Sequence, residues 1–388
     1  MHILRTIHPI GQGAFYSEHI LTDQFRGIVY DCGSGNSKTI SRTYIPVLKE
    51  LSKRLSNNHK DKYTINLLFI SHFDADHING IRELNKIYDI KRIVLPLITP
   101  YKWYLYALGA NNDQMEAMVD FRAFLDEYKG KLIEVNPING DSSVGDDGEV
   151  IDLESDNAPT QVRSGRKLTL GKYGNGQLFW CYIPMNYEMD SKKIKDLKNA
   201  IIKVLPSHDI NNVQELGAYH GEIKKAFRDL KIKTNETSMI VYSGLSQPIT
   251  YKDLNNRFEF GFWYEYGIGY CRERNDDSLR EACLYTGDSI LDEERCKSVS
   301  QILNGLSKNI GTLQIPHHGS KNNFFADAFE NNLGKLQNII SFASFGKNSQ
   351  FGHPSPDVVK DLTLHYSPLW GITEDSCSKF IEGIYLEY

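Results

Sequence analysis

The feature that most constrains the fold is a short apolar run that stops at a cluster of metal-binding side chains. Ile65-Asn66-Leu67-Leu68-Phe69-Ile70 is nearly continuous in its hydrophobicity, as in a strand covered on both faces. Directly after it comes Ser71-His72-Phe73-Asp74-Ala75-Asp76-His77, with two imidazoles and two carboxylates between positions 72 and 77. A polar turn whose aspartates cap the next helix is the bland explanation. Imidazole and carboxylate together also suit borderline divalent cations. Ile81 to Tyr88 reads as a helix and Lys91 to Pro96 as the next strand. This β-loop-α-β unit sets 71–77 at the carboxyl end of a central strand, where open α/β sheets put their chemistry.

Elsewhere, Ile3 to Ile10 and Gly27 to Tyr30 read as strands, followed by the glycine turns Gly11-Gln12-Gly13 and Gly33-Ser34-Gly35. Residues 38–56 carry Ile40, Tyr44, Ile45, Val47, Leu48 and Leu51 near helical spacing. Met115 to Tyr128 reads as a helix, 136–165 as a polar, flexible excursion, and Leu178 to Ile183 as a strand. Helices follow over Lys192 to Leu205 and Val213 to Leu230, then strands at Ser238–Tyr242, Phe258–Tyr264, Ala282–Thr286, Thr312–Ile315 and Ile339–Ser344. Strands repeating around helices suggest one α+β domain, an αββα sandwich.

With 40% hydrophobic and 24% charged residues, the chain has the means to bury a core, which excludes a disordered polymer. The 44 basic and 49 acidic residues leave a net charge of −5, so bulk charge draws no polyanion to it. A local basic groove is compatible with that total, and the Lys and Arg residues of 191–204 and 223–233 are its candidates, although such charges also suit a solvated helix face. Cys32, Cys181, Cys271, Cys283, Cys296 and Cys377 include no C-x-x-C pair and read as reduced thiols. The opening MHILRTIHPIGQG lacks a charged-then-apolar leader, and no run approaches the roughly 20 apolar residues of a spanning helix. A cytoplasmic protein with no membrane insertion is expected.

Three further pieces are ordinary one at a time. Tyr285-Thr286-Gly287-Asp288 is a strand ending in a Gly-Asp turn. Ile315-Pro316-His317-His318-Gly319-Ser320-Lys321 offers paired loop histidines with anion donors after them. Gly352-His353-Pro354-Ser355-Pro356 is a rigid turn presenting one histidine, which alone suits packing or the surface.

In order and spacing these pieces resemble the metallo-β-lactamase superfamily, and within it the nuclease-like domain of ComEC-type DNA uptake proteins. Asp31 in Val29-Tyr30-Asp31-Cys32-Gly33 matches the early-strand aspartate of the first motif. Residues 72–77 match His-x-His-x-Asp-His except at Asp74, where the ComEC-type branch is similar to this chain. Gly11-Gln12-Gly13, Thr286-Gly287-Asp288, Pro316 to Ser320 and Gly352-His353-Pro354 complete the likeness, which covers about 1–95 and 235–388. It departs where the superfamily usually places a ligating histidine: this chain reads Thr234-Asn235-Glu236-Thr237 there. Asn235 or water takes that place, with His208 and His220 as weaker substitutes.

The resemblance implies a metallo-β-lactamase fold with a core over about 1–97 and 235–388 and a helical insertion or cap over about 98–234, which could also meet a protein partner. It implies two divalent ions, Mn²⁺, Zn²⁺ or Mg²⁺, since Asp74 hardens the donor set. His72, Asp74 and Asp288 would hold one ion; Asp76, His77, Asp288 and one of the paired histidines the other, His317 being favoured over His318. Asp31 and Asn235 would stand behind the ligands, and Ser320, Lys321 and His353 would face the substrate. Asp76 and His353 are expected in turnover, His353 as general acid. The implied activity is phosphodiester hydrolysis of nucleic acid, DNA in the first place, by metal-activated water. Hydrolysis of a small phosphodiester, nucleotide or ester is the first alternative. A degenerate binding or regulatory module is the second.

Overall fold

The computed structural model describes residues 1–55, 63–97, 112–138, 150–171, 179–188, 191–209, 215, 218–230, 237–248, 258–263, 280–337 and 339–386. Their strands, in chain order, are β1 (His2–Ile7), β2 (Phe15–Leu21), β3 (Phe25–Cys32), β4 (Thr64–Phe69), β5 (Asp89–Pro96), β6 (Leu132–Ile138), β7 (Val150–Asp152), β8 (Gln161–Arg163) and β9 (Lys167–Thr169). They continue with β10 (Trp180–Tyr187), β11 (Ile240–Leu245), β12 (Phe258–Trp263), β13 (Ala282–Tyr285), β14 (Ile310–Gln314), β15 (Ile340–Ser344), β16 (Leu369–Ile372) and β17 (Phe380–Leu386).

Two sheets pack face to face. The first runs β12-β17-β1-β2-β3-β4-β5-β6-β8, antiparallel up to β3 and parallel beyond it. The second runs β7-β9-β10-β11-β13-β14-β15-β16, with β13 to β16 parallel. A short β6–β10 pairing joins them at one edge. Leu67 and Phe69 of β4 point between the sheets, to a core shared with Tyr30, Trp180, Tyr285 and Phe342. Leu68 and Ile70 point outward, against the helices Ile45–Leu55, Ile81–Ile87, Asn112–Glu127, Ser191–Val204 and His220–Asp229. Both faces of β4 are therefore dry, which is why its sequence does not alternate. A second helical layer, Glu293–Leu303, Ala326–Asn332 and Pro356–Leu364, covers Leu284, Leu313 and Ala343 on the far sheet. Asp292 caps the first of these helices by accepting from the Arg295 amide.

The sandwich interior also holds charge. Arg5 lies fully buried between Glu18 and Glu382, its Nε donating to Glu18 Oε1 at 2.8 Å and its Nη1 to Glu382. Glu18 further accepts from Tyr182, Ser243 and Tyr285, and Glu382 from Thr312.

Residues 98–234, expected as a helical insertion or cap of the one domain, carry the helices Asn112–Glu127, Ser191–Val204 and His220–Asp229 and also supply β6 to β10 to the two sheets. The polar excursion at 136–165 contains two strands of three residues each, with a third, Lys167–Thr169, directly after it, all too short for a period-2 pattern to register. The expected strand at 178–183 runs to Tyr187, and of the expected helix 213–230 the described part is His220–Asp229 with its flanks. Asn235, Cys271, Tyr264 and 139–149 lie outside the described residues. Among the described residues no helix is long and apolar enough to cross a membrane.

Candidate metal centre

All the cluster's side chains hang from the carboxyl ends of parallel strands. β3 delivers Asp31, β4 the 71–77 loop, β13 Asp288 and β14 the paired histidines. The loops are pressed together there. A Cβ on Gly33 would stand 2.3 Å from the Asp76 carbonyl, so only glycine lets the post-β3 turn reach the 74–77 backbone. The Ala14 amide donates to the same carbonyl, so the turn begun by Gly11-Gln12-Gly13 helps hold the loop. Gly287 adopts φ +53 with its Cα against Ser71, where the loops of the two sheets meet. Asp31, His317 and His318 also take left-handed backbone angles of 53°, 49° and 57°. For non-glycine residues each costs on the order of 1–3 kcal/mol, a strain that gathers at functional sites.

Asp288 stands at the middle. Its Oδ1 lies 3.4 Å from His77 Nε2 and 3.9 Å from His318 Nε2, while its Oδ2 lies 3.8 Å from His72 Nε2 and 3.7 Å from His317 Nε2. Asp74 reaches His72 at 3.8 Å and Asp76 reaches His318 at 3.3 Å. His72, His77 and Asp288 form one donor group, and Asp76, His77 and His318 another, the atoms of each lying within 4.8 Å of one another. Nε2 of His72 and Nε2 of His77 are buried and make no hydrogen bond. Buried nitrogen and oxygen donors that converge in this way fit a divalent cation.

What stands behind the donors fixes which nitrogen faces inward. Asp31 is fully buried; it accepts from the Ser71 amide at 2.7 Å, from Ser71 Oγ at 2.6 Å and from His77 Nδ1 at 2.8 Å. With its proton given to Asp31, Ser71 Oγ accepts from His72 Nδ1 at 2.9 Å. His318 Nδ1 donates to the Ser344 carbonyl at 2.8 Å. All three rings therefore turn Nε2 toward Asp288, as ligating histidines do when their other nitrogen is bonded. Ser71→Ala removes the acceptor behind His72 and one donor to Asp31, and should lower cation affinity about 10- to 100-fold. Titration with a competing chelator checks this, and an unchanged affinity would show that His72 needs no such support.

Charges in the cluster are strongly coupled. Burial pushes His72 down to about 3, helped by His77, so its ring is neutral. His77 goes the other way: burial opposes its charge, but Asp288 and Asp31 outweigh it and raise its pKa well above the ordinary value. His318 is raised by Asp288 and Asp76 in the same manner. Burial opposes the charged forms of Asp76 and Asp288 as well, yet the neighbouring histidines hold both below the usual carboxylate range. In the cation-free protein His77 accordingly holds a proton that a cation must displace, and the shift of His318 works in the same direction. Cation binding should release protons and weaken as pH falls. Calorimetry in two buffers of different ionisation enthalpy reads this directly, and buffer-independent heats would contradict it.

The cluster opens into a cleft of about 680 Å³ lined by Gln12, Asp74, Asp76, Asp288, His317, His318, Phe351 and His353, with Glu116, Asp120 and Phe121 of the Asn112–Glu127 helix as the facing wall. His318 rather than the favoured His317 faces Asp76, because its Nδ1 is anchored on β15, while His317 is turned toward Asp288 Oδ2. Ser320 is buried within its turn, and Lys321 reaches out to Asp357 at 3.8 Å; neither lines the cleft. His208 bonds the Ile202 carbonyl, and neither it nor His220 lines the cleft. Two residues in the cleft wall carried no sequence signal, Phe351 and Glu116, because nothing in local pattern distinguishes them from surface positions.

An αββα sandwich with nitrogen and oxygen donors converging at one end of its strands defines a metallohydrolase-type centre. Residues 23–156 match the family model of the metallo-beta-lactamase superfamily, a span that includes Asp31 and the whole 71–77 loop and runs through β6 to β7. The architecture is the metallo-β-lactamase fold, whose members are mostly metal-dependent hydrolases. A comparison with curated proteins returned no match.

Proposed function

We propose that the protein hydrolyses phosphodiester bonds in nucleic acid, DNA in the first place, with a pair of divalent cations as cofactor. The observation that carries this reading is the placement of Asp288, which turns one oxygen toward His77 and His318 and the other toward His72 and His317. A carboxylate so shared suits two cations side by side. Cations held there supply Lewis acidity to a phosphoryl oxygen and activate water. His72, Asp74 and Asp288 make up one set of ligands, and Asp76, His77, Asp288 and His318 the other. His317, turned toward the same Asp288 oxygen as His72, would join the first set. Asp31 and Ser71 hold the rings in orientation. His353 lines the cleft beside His317, and burial, then His317 and His318, lower its pKa to about 4. A neutral ring there would donate a hydrogen bond to a leaving oxygen, an electrostatic contribution beside the general-acid role expected of it.

The carboxylates Asp74 and Asp76 favour Mn²⁺ or Mg²⁺ beside Zn²⁺. A second reading, a small phosphodiester or nucleotide as substrate, draws on the far wall of the cleft. Glu116 and Asp120 stand there, Asp120 paired with Arg82 at 2.6 Å, so this wall presents no net positive charge to a long polyanion. Cleavage of single- and double-stranded DNA should be compared with that of small diesters after chelation and after Mn²⁺ addition. Cation-dependent DNA cleavage is the expected result. Turnover of small diesters alone would favour the second reading, and no cation-dependent hydrolysis of either would end both.

A further inference from the structure

We propose that Phe351 is a stacking platform for the nucleobase next to the scissile phosphate; this rests on the phosphodiesterase reading above. Phe351 is 71% exposed, the most exposed phenylalanine among the described residues. One exposed apolar side chain is unremarkable by itself. This one lines the same cleft as Asp288, His317 and His353. Its ring lies within 14° of parallel to that of His353, with centroids 6.2 Å apart. His353 in turn lies 5.8 Å from His317, so aromatic rings lead stepwise from the donor cluster to the mouth of the cleft. The last plane in that series is the one with an open face.

The platform is also held in place. The Phe351 amide donates to Ser349 Oγ, the Ser349 amide to the Gly346 carbonyl, and the Lys347 amide to Glu374, while the Ser355 amide ties the far side of the loop to Gly319. A ring whose backbone is already tied loses little freedom when a ligand covers it. An exposed aromatic plane near a cation-held phosphate meets what a nucleotide presents: an anionic group on one side of the sugar and a flat π-face on the other. Every base has such a face, so the platform confers preference for a base-bearing substrate without choosing among bases. An aliphatic phosphodiester or a simple ester has nothing to place on it.

The test uses the cation-replete full chain and a dinucleotide carrying 2-aminopurine with a non-hydrolysable methylene-phosphonate linkage. Stacking quenches 2-aminopurine fluorescence, so binding is read without turnover. Phe351→Ala should abolish the quench and weaken binding about 5- to 150-fold, the span that corresponds to about 1–3 kcal/mol for one stacked base. Phe351→Trp should retain both. An abasic analogue of the same backbone should bind the native protein and Phe351→Ala equally. Native binding without quenching, or equal binding of the base-bearing analogue by Phe351→Ala, overturns the platform. A base-dependent loss in Phe351→Ala together with no diester hydrolysis by the native protein would leave the platform standing and remove the proposed reaction. Hydrolysis with no base dependence would do the reverse.

Discussion

Replacing Asp288 by alanine should lower cation-dependent hydrolysis by on the order of 10³-fold or more, and cation content should fall with it. The magnitude follows from the several kcal/mol of transition-state stabilisation that bound cations supply, at 1.36 kcal/mol per tenfold in rate. Asp288 is the side chain whose two oxygens face four histidines, so its loss removes a donor from both groups at once. It also leaves His77 and His318 without the carboxylate that raises their pKa values, which weakens their hold on a proton and does nothing to replace the missing oxygen. Elemental analysis separates the two parts: a variant that keeps its cations but not its activity shows that geometry matters beyond occupancy. Full cation-dependent activity in Asp288→Ala would refute the assignment of the centre.

Arg5→Met should be the most destabilising of the substitutions considered, costing on the order of 3–5 kcal/mol. The side chain is fully buried between Glu18 and Glu382, so removing its charge strands two carboxylates in the interior. Both are tied to further partners and cannot turn away: Glu18 to Tyr182, Ser243 and Tyr285, Glu382 to Thr312. Because the network links β1, β2 and β17 to β10, β11, β13 and β14, its failure loosens one sheet from the other. The loss appears as a lower urea midpoint with an unchanged slope. Adding Glu18→Gln and Glu382→Gln should recover part of it, since a buried network removed whole costs far less than one with a charge left over. No shift in the midpoint for Arg5→Met would overturn this account of the buried network.

The cluster at 71–77 was legible because it couples two signals within one stretch, a dry strand and four convergent donors. Asp288 and the paired histidines became legible only through their order along the chain, since each alone is an ordinary turn. Choosing between His317 and His318 needed three dimensions: adjacent residues in left-handed conformations aim their rings apart, and sequence carries no record of that. In the middle of the chain the helices and the strand at 178–183 were legible, and the short strands were not, for a different reason. Strands of three residues at a sheet edge, such as Val150–Asp152 and Gln161–Arg163, bury too little to impose a pattern. Their presence is dictated by the neighbours that complete them. The Arg5 network was invisible, because charged residues are ordinarily exposed and nothing local to β1, β2 or β17 marks Arg5, Glu18 and Glu382 as buried together.

The donors come from opposite halves of the molecule: His72 and His77 follow β4 of one sheet, Asp288 and His318 follow β13 and β14 of the other. An ion bound among them is thus a rivet through the open end of the sandwich as well as a reagent. At a free concentration a hundred times its Kd such a rivet adds about 2.7 kcal/mol to the folded state. Chelation then acts as a mechanical operation, freeing the two leaves to part at the very edge where substrate enters.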